Sequence, residues 1–80
     1  MSDQLRQIVA FSSKRYNDNR NCRPGLAKAH LAIINRANDV RLSTGKIGDL
    51  LDFLSDPQTD PDLVKACMEV LEHLDAALGG

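Results

Sequence analysis

Three prolines, Pro24, Pro57 and Pro61, interrupt a chain whose apolar residues otherwise recur with helical spacing. Proline has no amide N–H and its ring clashes with the preceding turn, so it suits the first position of a helix and breaks the interior. The residue before it is pushed toward extended geometry. Pro24 and Pro61 therefore read as helix starts, and Pro57 as the end of a helix at Asp56. No stretch alternates with period two over a strand length, and no internal repeat is visible. The expectation is an all-α fold: a small bundle or array of four helices at approximately 3–17, 24–40, 44–55 and 61–78, built as one domain over 1–80.

Each helix carries its own apolar stripe. In the first, Leu5, Ile8, Val9, Ser12 and Tyr16 share a face widened by Phe11, with Ser2 as N-cap and Asp3 against the positive end of the dipole. The second places Leu26, Ala29, Ile33, Ala37 and Val40 in line, and Leu31 and Ile34 broaden it into the expected central element. The third, capped by Ser43 or Thr44, repeats Ile47, Leu50, Leu51 and Leu54, with Asp49 and Asp52 opposite; Gly45 and Gly48 weaken it by roughly 1 kcal/mol each. In the fourth, Asp60 is the cap and Gly79-Gly80 the stop. Its inward set is Leu63, Val64, Cys67, Val70, Leu71, Leu74 and Leu78, while Lys65 and Glu69 read as an outward i, i+4 pair.

The 80 residues allow one domain and a modest core, since a chain this short buries only about 60% of its unfolded surface. A partner subunit is one common remedy. Apolar residues at 42% and charged residues at 26% exclude global disorder. Phe11, Tyr16 and Phe53 are the only aromatics, so the core must be aliphatic. No apolar run approaches the roughly 20 residues that span a bilayer, and the N-terminal stretch lacks the pattern of a signal peptide. A cytoplasmic protein with reduced thiols is expected.

Net charge is −1 but unevenly spread. Residues 1–41 carry eight Lys/Arg against three acids, net +5, and residues 42–80 carry two lysines against eight acids, net −6. The basic density peaks in "SSKRYNDNRNCRPG", residues 12–25, whose middle reads as a connection of about seven residues. Opposite halves of this kind suit association with a charged partner or a second copy.

Several chemistries are disfavoured. Cys22, His30, Cys67 and His73 lack the two-to-four-residue spacing of structural zinc ligands, and Cys67 and His73 point about 120° apart on a helix. They read as a surface thiol, a core thiol and two surface or boundary histidines. A Cys22–Cys67 disulfide is opposed by a reducing compartment. No nucleophile sits in an elbow beside a base, Asp49 and Asp52 read as a solvated face, and "STGKIG" lacks the full phosphate-loop pattern. The chain is expected to be no enzyme, with no metal, cofactor or small-molecule substrate. A helix-turn-helix reading fails because the fourth helix offers Lys65 against Asp62, Glu69, Glu72 and Asp75.

The stretch "RLSTGKIGDLLDFLSD…LVKACMEVLEHL" resembles the C-terminal helix pair of small connector proteins of bacterial two-component signalling. That resemblance covers about half the chain and implies a short, all-α, non-enzymatic regulator working as a dimer. The expectation is a cytoplasmic bacterial or phage regulator, adaptor or inhibitor that binds another protein and forms a homodimer. Its partner-binding set is Lys14, Arg15, Tyr16, Arg20, Arg23, Lys28, Arg36 and Arg41. The competing expectation is a nucleic-acid-binding transcriptional regulator that uses the same basic half.

Overall fold

The computed structural model describes residues 3–56 and 59–79, with side chains described for 4–56 and 59–77. Four helices pack together: α1 (Asp3–Asn19), α2 (Pro24–Ser43), α3 (Ile47–Ser55) and α4 (Pro61–Gly79). No strand occurs among the described residues. None of these helices is long and apolar enough to cross a membrane. Ser2, Pro57, Gly80 and the side chains of Asp3 and Leu78, to which the sequence reading gave roles, lie outside the described set.

Backbone hydrogen bonding explains where the boundaries depart from expectation. α1 runs to Asn19 rather than 17, because the Asn19 side-chain amide donates to the Arg15 carbonyl at 2.7 Å and the amides of Cys22 and Arg23 donate to the Asn19 carbonyl. The connection shrinks to Arg20–Arg23, and Pro24 opens α2 at its first turn as expected. α2 continues a turn past Val40 to Ser43 and stops where Gly45 adopts φ +68°, which turns its amide onto the Val40 carbonyl at 2.7 Å. Ser43 is thus the end of α2 and no cap of α3; its hydroxyl donates back to the Asp39 carbonyl. Thr44 retains half of its expected role: its hydroxyl accepts from the Lys46 amide and donates to Asp49. Asp60 caps α4 as expected, accepting from the Asp62 amide at 2.9 Å.

The tight connection makes α1 and α2 antiparallel. Gly25 lies against Asp62, and His30 against Glu69, so α2 and α4 run in the same direction. α3 returns along the C-terminal half of α2, bringing Phe53 to Arg36. The core is the aliphatic cluster foreseen: Leu5, Ile8, Leu26, Ala29, Ile33, Ala37, Val40, Leu50, Leu54, Cys67, Val70 and Leu74 are buried. α2 is its central element, packing on all three other helices. Ala66, fully enclosed, was not foreseen, and Val64 faces solvent instead of the core, 37% exposed.

Candidate functional site

The polar centre of the molecule is a hydrogen-bonded chain that joins α1, α2 and α4. His30 and Ser12 have no solvent exposure. The ring meets Glu69 Oε1 through Nε2 at 2.8 Å and Ser12 Oγ through Nδ1 at 3.3 Å. Arg15 adds a two-pronged bond to the same carboxylate, Nε to Oε1 at 3.3 Å and Nη2 to Oε2 at 3.1 Å. Burial pushes the Glu69 carboxyl up, but hydrogen bonds from His30 and Arg15, with their charge, hold it below its usual range. An ionised Glu69 only accepts, so the His30 Nε2–H donates to it, and Nδ1 lies within hydrogen-bond distance of the Ser12 hydroxyl. Every buried side-chain polar atom among the described residues finds a partner.

Serine, histidine and carboxylate in contact suggest nucleophilic catalysis, but the geometry opposes it. A nucleophile must reach substrate, and Ser12 is sealed beneath the helix packing. The arrangement pins three helices at one register. Phe11 shields it, edge-on to His30 at 6.1 Å and stacked on His73 at 4.3 Å with 17° between rings.

Two sequence expectations are corrected by this cluster. His30 is a core residue, not a surface or boundary one, and Glu69 faces inward to Arg15 and His30 instead of pairing outward with Lys65. A signal for both existed. His30 lies four residues after Leu26 and three before Ile33, on the apolar stripe, and Glu69 lies three after Ala66. A polar residue in register with a stripe calls for a buried partner. Cys67 is buried, and that burial pushes its thiol up, while Cys22 is exposed; both thiols are free. Among the described residues no three His, Cys, Asp or Glu side chains converge as metal ligands.

The structure divides the expected partner-binding set. Arg15 is satisfied internally by Glu69. Lys14, Arg20, Arg23 and Lys28 are exposed around the α1–α2 connection, with Tyr16 half-buried nearby. Arg36 stands over Phe53, 5.5 Å from the ring centre. It shares the α2–α3 surface with Asp39, Asp49, Asp52 and Asp56, which makes that surface acidic. Arg41 lies thirteen residues beyond Lys28 on α2, about 20 Å away along the axis.

An apolar surface emerges between α3 and α4, and it includes Val64, which the sequence reading assigned to the core. Val64 and Met68, 37% and 56% exposed, stand beside Leu54, Cys67 and Leu71 around a depression of about 500 Å³, edged by Ser55 and Asp56. The chain matches no family model, no curated protein and no solved structure.

Proposed function

We propose that this chain is a small non-enzymatic regulator or adaptor that acts by binding protein, and that it forms a homodimer through the α3–α4 surface. The observation that carries this reading is the Val64–Met68 depression. Covering exposed aliphatic surface yields about 25 cal/mol per Å². Methionine, unbranched and polarizable, adapts to a facing surface better than a branched side chain. The full enclosure of Ser12 and His30 supports the non-enzymatic part, because these groups are spent on holding the helices.

The basic end at Arg20, Arg23 and Lys28 favours a second reading, nucleic-acid contact. The two differ in salt dependence: phosphate binding weakens by about 0.9 log units in K per log unit of salt for each phosphate neutralised. Affinity capture from source cells with the tagged protein, with and without nuclease, separates them. Protein binding predicts one partner that survives nuclease. Capture abolished by nuclease would reverse the order of the two readings.

A further inference from the structure

α1 and α2 part over Ala10 and Ala37 to leave a slot of about 240 Å³, lined also by Leu5 and Val9. Arg6 lies one turn before Ala10 and Arg41 one turn after Ala37. Because the helices are antiparallel, Arg6 and Arg41 stand at the same end of the slot, which Asn38 also lines. No acidic residue lines it, and neither arginine has a carboxylate partner among the described side chains.

We propose that the α1–α2 slot docks an acidic segment of a partner protein, taking one large apolar side chain between Ala10 and Ala37 and its neighbouring carboxylate between Arg6 and Arg41. This rests on the protein-binding reading above. The slot, at about 240 Å³, lies at the lower edge of the roughly 300–1,000 Å³ of small-molecule pockets. It suits a single anchoring side chain, the usual hot spot of an interface. Charge decides the rest. Two like charges at one end repel until an anion sits between them, and guanidinium binds carboxylate through paired N–H donors. A nucleic acid would satisfy the arginines but leave the aliphatic lining without a partner. On a helical segment, an apolar residue and an acid three or four positions apart present both features on one face.

The test is selection of a displayed random 12-residue peptide library on the whole protein, followed by fluorescence anisotropy with the best synthetic peptide. The expected consensus is Leu, Ile or Phe with Asp or Glu three or four residues away. Binding should fall at least tenfold in Arg6→Glu and in Arg41→Glu, both surface changes whose folding is checked by circular dichroism. Lys65→Glu, an exposed charge reversal outside both surfaces, should bind as the wild type does, and Lys in place of the peptide's acid should restore binding to Arg41→Glu. A consensus without acids, unchanged affinity in both arginine variants, or a single-stranded 15-nucleotide probe bound with the same arginine dependence would overturn the proposal. Protein capture that depends on Met68 while the selected peptides ignore both arginines would overturn it and leave the protein-binding reading standing.

Discussion

α1, α2 and α4 are joined both by aliphatic packing and by a buried polar chain of fixed geometry, whereas α3 is joined by aliphatic packing, the Arg36–Phe53 contact and an exposed Thr44–Asp49 hydrogen bond at its start. The first three share Leu5, Ile8, Ile33 and Val70 at full or near-full burial, and Ser12, His30, Glu69 and Arg15 lock their register. α3 is a nine-residue helix that buries only Leu50 and Leu54 completely, with no side-chain cap at Lys46. Its neighbours Val64 and Met68 remain exposed. Hydrophobic contact is non-directional and adaptable, and a hydrogen-bonded network is not. The three tied helices set the shape of the molecule, and the edge at α3 is where apolar surface is left exposed.

The largest effect should come from cutting the tie of α3. Leu50→Ala is expected to cost about 3 kcal/mol, the usual range for an enclosed leucine. In that variant the α3 amides should exchange hydrogen well ahead of those around Ile8 and Ile33. Equal acceleration in both regions would erase the distinction between the three tied helices and the edge. Glu69→Ala should cost somewhat less, about 2–3 kcal/mol, by leaving the His30 ring N–H and Arg15 without their acceptor; Arg15 is partly solvated, which moderates the loss. Here exchange should accelerate in α1, α2 and α4 together.

The network also has a pH signature. The Glu69 carboxyl is depressed in the fold, so it adds stability at pH above its unfolded value of about 4.3 and loses that contribution as pH falls through the folded value. Glu69→Gln should therefore lie about 1–2 kcal/mol below wild type at pH 7, with the gap closing below about pH 4 in denaturant titrations. A gap that stays constant with pH would mean the charge is immaterial. Next in size, Gly45→Ala should cost about 1 kcal/mol, because a side chain at φ +68° strains the link between α2 and α3 although the space around it is open. Thermal unfolding reads it. Met68→Glu should change stability by no more than about 0.5 kcal/mol, as befits an exposed position.

Prolines and apolar stripes made the four helices legible, because breakers and periodicity act locally. What they missed was partly local and partly set by partners distant in sequence. α2 outlasts Val40 because Gly45 can turn left-handed, and a stripe that ends at its last apolar residue hides the extra turn. Glu69 looked outward because Lys65 stands four residues before it, yet its partners lie 39 and 54 residues away. Val64 reads as inward from the stripe alone, because the face of α4 that α3 leaves open depends on how few residues α3 has. The basic set was visible as charge, but only the packing shows that Arg15 is already answered by Glu69 and that Arg41 stands apart with Arg6.

The most direct measurement is light scattering across concentration on the wild type and Met68→Glu. A surface built for protein contact predicts a wild-type mass approaching twice the 8.8 kDa chain as concentration rises, and a folded Met68→Glu that stays monomeric. A wild type that remains a monomer throughout, or a dimer indifferent to Met68, would contradict the role assigned to the α3–α4 surface.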